Sequence, residues 1–473
     1  MPTKLPTRVI DVGAFDKDVK LSISNGESAT YVALSHCWGG ASLTRTTKSL
    51  LQEHQHCIRH DNLSKTIQDA VRITRNLGVR YLWVDSLCIL QDDEKDWEFE
   101  VKTMALVYEG ACFTIAATAV KDGTEGLFSP RPPQSLVEIP CNPMDTSSGS
   151  MLFGVKDQTA ISEMFKGPLN NRAWVLQERL FSRRTIHFAR DQMYRECDKG
   201  LLAEDNDCEE DPSVEPFTID FLPSRSMLCY VLDSYLSKHR NPLPKGAAID
   251  EDSFGTIADF HSLWARNIKF FSRCGLTNAS DKLPALHSLS EKLTELTGHP
   301  YHEGHWFDGS NLSLTALLWC AAKGASLKKV TSARAPSWSW ASLEGPLKYL
   351  DFREWWVDIF YAQELDMKIL RVTNFKPLKG QITKSLMLEA ANIPCSMCTC
   401  SGNLSHRVRP PEAPTNLEFD RVVSERGELI RGNFEFDLKE DQPHRFWILP
   451  VYVHFFKKTK LVWLVLLVLE VPF

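Results

Sequence analysis

The run NRAWVLQERLFSRR, residues 171–184, has helical spacing with an acid on its inner stripe. Trp174, Gln177, Glu178 and Phe181 fall on one face, flanked by Leu176 and Leu180. An ordinary core-facing helix would carry an aliphatic residue where Glu178 stands. A carboxylate between two aromatic rings is costly unless a positive or hydrogen-bonding group meets it. Partial exclusion of water also strengthens its field, which suits it to stabilising positive charge. Arg172, Arg179, Arg183 and Arg184 surround the stripe, so a second role stands beside the first. In that role Gln177 and Glu178 pair with Arg172 or with free backbone groups and fix the helix in place.

Two further segments carry residues suited to chemistry. YVALSHCWGG ends a strand-like run with Ser35, His36, Cys37, Trp38, Gly39 and Gly40. Beyond the carboxyl end of a strand in an open α/β sheet, backbone approaches a ligand closely only at glycine. The run reads either as a ligand-lining loop or as a glycine turn with a packed Trp38. His36 and Cys37 are neighbours that point opposite ways on a strand, which argues against a Cys–His pair made from these two. In YLWVDSLCILQDD, Tyr81, Trp83, Asp85 and Leu87 share a strand face, and Asp85 is a lone acid needing a partner. Asp85 is expected to cap the following helix or pair with an arginine near Glu178. The alternative is an anchor for a ligand hydroxyl. CSMCTC (Cys395, Cys398, Cys400) has a zinc-knuckle gap, but no second pair completes four ligands and His406 is poor support, so no metal is expected. No phosphate-binding glycine loop, HExxH or G-x-S-x-G elbow is present.

The elements that must position these residues alternate along the first 200 positions. Strand-like ATYVALSHCWGG is followed by a helix, LSKTIQDAVRITRNLG, preceded by Leu63–Ser64 and stopped by Gly78. A buried strand, VRYLWVDSLCIL, precedes a second helix with Trp97, Val101, Met104 and Tyr108 on one stripe. CFTIAATAV is another apolar strand. A Pro/Gly/Ser-rich insertion over about 128–168 leads to the Glu178 helix, and RTIHFARDQMYREC supplies a last strand. Such alternation predicts a parallel sheet covered by helices. After Cys197 an acidic stretch, AEDNDCEEDPSVEP, marks a boundary. Residues 216–300 read as mainly helical, with Trp264, Ile268 and Phe271 helically spaced. From about 330 alternating apolar residues predict a β-rich region: RAPSWSWASLEGPLKYL, KSLMLEAANI and HRFWILPVYVHFF.

The bulk composition limits the function classes. The 473 residues are 43% hydrophobic and 24% charged, which suits two or three globular units. Lysine plus arginine total 54 against 60 acidic residues, and a net charge of −6 gives no electrostatic reason to expect a nucleic acid or an anionic membrane. MPTKLPTRVIDVG lacks the features of a secretory or transit signal. The 13 irregularly spaced cysteines fit reduced thiols, so a cytoplasmic location is expected. LVWLVLLVLEVPF is too short to span a bilayer and contains Glu470, so it reads as a buried strand. Its abrupt end at Phe473 reads as a truncated gene product.

Taken together, YVALSHCWGG, RYLWVDSLCILQDDEKDWEFEVKTMALVYEGACFTIAAT and RAWVLQERLFSRRTIHFARDQMYREC resemble, in order, the three blocks of the fungal heterokaryon-incompatibility (HET) domain. LPTRVIDVG, SDKLPAL and RAPSWSWAS are also typical of long HET proteins. The resemblance is strong over about 1–200 and patchier to 345. It implies a role in recognition of non-self after hyphal fusion and in a cell-death response. HET domains are in turn distantly similar to TIR domains, which implies a flavodoxin-like α/β fold with a parallel sheet flanked by helices. On this basis the chain divides into a HET domain (1–200), an acidic linker and helical region (201–300) and a β-rich region (301–473).

TIR domains that cleave NAD carry a Trp-Cys-x-x-Glu segment with the catalytic Glu four residues after the Trp. WVLQE reproduces that spacing at Trp174 and Glu178, with Val175 in place of the cysteine. VALSHCWGG is similar to the first TIR strand and its loop. The resemblance therefore implies Glu178 as catalytic, with Ser35, His36, Trp38, Gly39, Asp85 and Trp174 lining the substrate site. NAD would be a substrate and no cofactor is required. Nicotinamide leaves as a neutral molecule, so the carboxylate's work is to hold ribose hydroxyls and stabilise an oxocarbenium charge. The competing expectation is a non-catalytic module acting by self-association or by recruiting other cell-death proteins. A cysteine hydrolase using Cys37 with His187 is a third, outlying reading.

Overall fold

A computed structural model describes residues 2–349 except 14–16, 40–43, 129, 131–135, 141–149, 155–163, 165, 205–222, 239–262, 309–310, 313–318, 323, 331–333 and 336–338. Beyond these it describes the backbone of 393–397, 420–424, 429–432, 445–456 and 461–470. Two compact units are present, the first comprising Met1–Thr256 and Cys274–Leu296, the second Ile257–Arg273 and Thr297–Phe473.

The first unit is built on an eight-stranded mixed sheet. In chain order its elements are β1 (Thr3–Lys4), β2 (Arg8–Asp11), β3 (Lys20–Ile23), β4 (Ser28–Ala29), β5 (Tyr31–Ser35), α1 (Leu51–His56), α2 (Lys65–Asn76), β6 (Tyr81–Val84), α3 (Asp85–Cys88), α4 (Glu94–Gly110), β7 (Phe113–Ala116), β8 (Leu136–Pro140), β9 (Ser150–Gly154), α5 (Val175–Phe181), β10 (Arg184–Phe188), β11 (Met193–Cys197) and β12 (Gly200–Ala203). The sheet runs β12-β11-β10-β7-β5-β6-β2-β3. Its centre, β10-β7-β5-β6, is parallel, whereas β2, β3, β11 and β12 pair antiparallel. The expected parallel sheet is therefore its middle, and antiparallel strands extend both sides.

The central strands are apolar because helices cover them on both faces, as a parallel sheet requires. Every residue of β5 is buried. Helix α2 begins where Ser64 Oγ accepts the Ile67 amide at 3.4 Å and ends before Gly78, whose φ of +68° suits a residue without Cβ. Asp93 caps α4 by accepting the amides of Lys95 and Asp96. Val101, Met104 and Tyr108 bury the expected stripe of α4, with Trp97 half-buried at its start.

Three expectations need correction. Residues 171–184 are not one helix: a 3-10 turn, Pro168–Asn171, precedes the seven-residue α5, and Arg184 already belongs to β10. Arg172 forms an isolated parallel bridge with Gly275, which holds that segment extended, and Ser182 ends α5 by donating its hydroxyl to the Glu178 carbonyl at 2.6 Å. RTIHFARDQMYREC forms two antiparallel strands, because the chain reverses where the Ala189 amide donates to the Gln192 carbonyl. Asp85 does not continue a strand face with Tyr81 and Trp83. Strand β6 stops at Val84 and Asp85 opens the helical turn α3.

In the second unit residues 263–271 are helical and bury Trp264, Ile268 and Phe271, as their spacing predicts. The Trp264 and Trp340 indoles both donate to the Gly304 carbonyl, at 3.1 and 3.0 Å. RAPSWSWASLEGPLKYL contributes a 3-10 turn and two short strands, Leu343–Glu344 and Leu347–Tyr349. Arg445–Phe456 pairs antiparallel with Leu461–Glu470. Most of KSLMLEAANI, the acidic boundary after residue 204, Gly40, Cys398, Cys400 and His406 lie outside the described residues. No helix among the described residues is long and apolar enough to cross a membrane.

Candidate functional site

The parallel strands appear in the order second-first-third-fourth, β6-β5-β7-β10. The chain leaves β5 toward β6 and leaves β7 toward β10, so their crossovers diverge. Between the carboxyl ends of two such strands an open α/β sheet leaves a crevice, and ligands bind there. Ser35 and Ala116, the last residues of β5 and β7, stand opposite each other at that point. A small cavity lies there, with room for about one water molecule. Ser35, Thr114, Asn170, Glu178, Arg179, Ser182 and His187 line it, with the apolar Leu169 and Val175.

Glu178 enters this crevice from α5. It is 3% exposed, and its Oε2 has no hydrogen-bond partner. Burial lifts its carboxyl to about 6, against the opposing pull of Arg172 and of the Ser35 and Tyr108 hydroxyls, while Asp85 adds to the rise. Arg172 does not close an ion pair with it. The Arg172 guanidinium instead donates to the His36 carbonyl across the crevice mouth. The acid on the inner stripe thus faces hydroxyls and a cavity, with Arg172 drawing its pKa down from outside ion-pair distance, and Gln177 does not pair with an arginine either. Gln177 is fully buried, with its amide nitrogen 3.8 Å from Met104 Sδ.

The loop after β5 is fastened over this site. Trp38 donates its indole N–H to Asp85 Oδ2 at 2.8 Å, and the Ser86 amide donates to Asp85 Oδ1 at 2.7 Å. Asp85 is thus the loop's anchor but not the expected helix cap, since α3 has no side-chain cap and Asp93 caps α4. Its expected partner differs, an indole in place of an arginine. Gly39, with φ +67°, sits so close to Asp122 that a Cβ would lie 2.1 Å from the Asp122 Cβ. The loops after β5 and β7 can meet only because residue 39 is glycine. His36 is buried with both ring nitrogens unpartnered, Nδ1 lying 3.7 Å from Asp85 Oδ1, and burial holds its pKa below the ordinary value. Trp174, half-buried before α5, stacks edge-on against Trp97 with centroids 6.3 Å apart. The structure therefore brings Ser35, His36, Trp38, Asp85 and Glu178 to one end of the sheet, with Gly39 in the loop above and Trp174 at the head of the Glu178 helix.

A second polar group behind Glu178 was not foreseen from sequence. Glu196 of β11 is buried and accepts Arg179 Nε at 2.7 Å and His187 Nε2 at 2.9 Å on the same oxygen. Despite the opposing effect of burial, Arg179 and His187 hold its carboxyl down to about 2. His187 Nδ1 meets Thr118 Oγ1 at 3.1 Å, so both its nitrogens are engaged. Cys37 is buried and its thiol is pushed up, chiefly by burial. The Cys37–His187 hydrolase reading thus meets a thiol whose ionisation burial disfavours and an imidazole engaged at both nitrogens. Tyr108 was also read only as core, although a buried tyrosine hydroxyl signals a polar neighbour. It lies 3.5 Å from the Leu34 carbonyl and beside Glu178. No group of three or more metal-ligating side chains stands together among the described residues.

Comparison with known proteins adds one finding. A family model described as Heterokaryon incompatibility protein (HET) matches residues 31–178, from the first residue of β5 to Glu178 itself. No curated protein and no solved structure matches the chain. The matched span takes in the site-bearing segments in order, β5 with its loop, β6 with Asp85, α4 with β7, and α5 as far as Glu178. Over residues 31–178 this chain carries a domain of the heterokaryon-incompatibility (HET) family.

Proposed function

We propose that the domain acts in heterokaryon incompatibility as a cell-death effector in the cytoplasm of a filamentous fungus, by hydrolysing the N-glycosidic bond of NAD with Glu178 as its catalytic residue. One observation carries this reading: a buried carboxylate, outside any ion pair and with a free oxygen, stands at the crevice between diverging parallel strands. The strand order second-first-third-fourth is that of flavodoxin-like sheets, which supports kinship with TIR domains. In the reaction the bond from ribose C1′ to the nicotinamide nitrogen breaks, and its electron pair leaves with nicotinamide. Water adds to C1′ and gives up its proton. Glu178, ionised above about pH 6, stabilises the positive charge that develops on the ribose.

The test is incubation of clustered, purified protein with NAD beside Glu178→Gln and Glu178→Ala. Removing such electrostatic stabilisation costs roughly 3 kcal/mol, or ~100-fold in nicotinamide release. A second reading, an interaction module acting by oligomerisation or recruitment, is favoured by the size of the cavity. It has room for about one water molecule, far below the roughly 300–1,000 Å³ of usual ligand sites. If all three proteins kill cells equally without loss of NAD, the second reading holds.

A further inference from the structure

The seven-residue helix that carries Glu178 is too short to hold its own position, since isolated helices shorter than about 12–15 residues are marginal. Residues that follow the HET match hold it at both ends. At its carboxyl end, Arg225 Nη1 donates to the carbonyls of Leu180 and Phe181, both at 3.0 Å. These are end-of-helix carbonyls with no partner inside the helix. The Arg225 amide also donates to Glu196 Oε1 at 3.3 Å, and the other Glu196 oxygen holds Arg179, the residue next to Glu178. At its amino end, the Gly275 amide donates to the Asn171 carbonyl at 2.7 Å and the Ala173 amide to the Gly275 carbonyl at 3.1 Å. The Trp174 side chain interacts with the Asp281 carboxyl, favouring its charged form. All of these residues belong to the first unit.

We propose that Arg225 and Asp281 are positioning residues that fix the Glu178 helix from its two ends, so that the region after residue 204 sets the working geometry of the site. The proposal rests, for its effect on turnover, on the NAD-hydrolase reading above. Neither residue lines the cavity; each acts through backbone or indole groups beside it. Any ligand or partner that shifts the segments around 225 or 275–281 would thereby move the carboxylate, and displacements of about 1 Å in such groups cost on the order of 100-fold in rate.

The test uses the full chain with Arg225→Met and Asp281→Ala, and with Arg225→Lys and Asp281→Asn as conservative partners. Two measurements are made on each: hydrogen exchange of the peptide covering 173–184, and the kcat and KM of nicotinamide release. The expected result is exchange at least ~10-fold faster in that peptide, with the 113–116 strand unchanged. It comes with a ~10- to 100-fold fall in kcat at unchanged KM, and recovery in the conservative variants. Folded variants with unaltered exchange over 173–184 would overturn the brace, and faster exchange with wild-type kcat would overturn its control of the site. If Arg225→Met does not fold, the Lys and Asp281 variants carry the same comparison. Absence of activity in the wild-type chain would sink the hydrolase reading alone, because the exchange measurement still decides the brace.

Discussion

A carboxylate kept out of water without an ion pair is unfavourable, and Glu178 shows the signature in a carboxyl lifted from 4.5 to about 6 despite the pull of Arg172. The folded chain therefore holds this proton more tightly than the unfolded chain does. The stabilising protonated form is present below pH 4.5 and is lost as pH rises through about 6, a difference of ~2 kcal/mol by pH 7.5. Glu178→Gln is expected to raise stability by up to ~2 kcal/mol at pH 7.5 and to change little at pH 4, read by denaturant melts at the two pH values. Turnover should run the other way, rising with pH to a plateau above about 6 as the carboxylate ionises. A flat pH profile between 5 and 7 would remove Glu178 from the reaction. Glu196 has the opposite sign, since its carboxyl is held down to about 2. Its contribution is present above 4.5 and is lost as pH falls toward 2. Glu196→Gln leaves Arg179 without its anion and is expected to cost on the order of 3 kcal/mol at neutral pH, measured by the same melts.

Among the elements, the loop after β5 is the one whose conformation depends on a single residue. At Gly39 any side chain meets Asp122 and an unfavourable left-handed φ together. Gly39→Ala is expected to cost at least ~1 kcal/mol and to release Trp38 from Asp85, visible as a red shift of tryptophan emission. Unchanged emission and stability would show that the two loops do not meet. Much of this level was legible beforehand. Ser64 and Gly78 bound α2, and the Val101, Met104 and Tyr108 stripe lies against the core as spacing predicts. The Glu178 helix was read too long because its apolar stripe continues through segments that the Arg172–Gly275 bridge and the Ser182 cap hold outside the helix. Local periodicity carries no record of either partner.

For the whole molecule, the first unit includes segments far past the HET match, and Pro284–Thr297 buries Leu286, Leu289 and Leu293. Ser288 in that helix donates to the Val101 and Lys102 carbonyls of α4 at 3.2 and 3.3 Å. A fragment ending at residue 204 loses these leucines as well as Arg225 and Asp281. At about 1.5–3 kcal/mol for each buried leucine, it is expected to lack a cooperative thermal transition by circular dichroism. A fragment that melts as sharply as the full chain would show that the HET-matched region folds without them.

The sequence by itself determined the kind of elements, their order, the family-bearing segments and the oddity of an acid on the inner stripe at Glu178, because periodicity, capping and turn chemistry act over a few residues. Only the tertiary structure decided what that acid faces. Ser35, Tyr108 and Asp85 come to Glu178 from three other elements, Arg172 turns away to the His36 carbonyl, and Arg225 and Asp281 reach the same helix from beyond residue 204. Whether a buried charge is paired or left free depends on neighbours set by the strand order, and strand order is a property of the folded sheet.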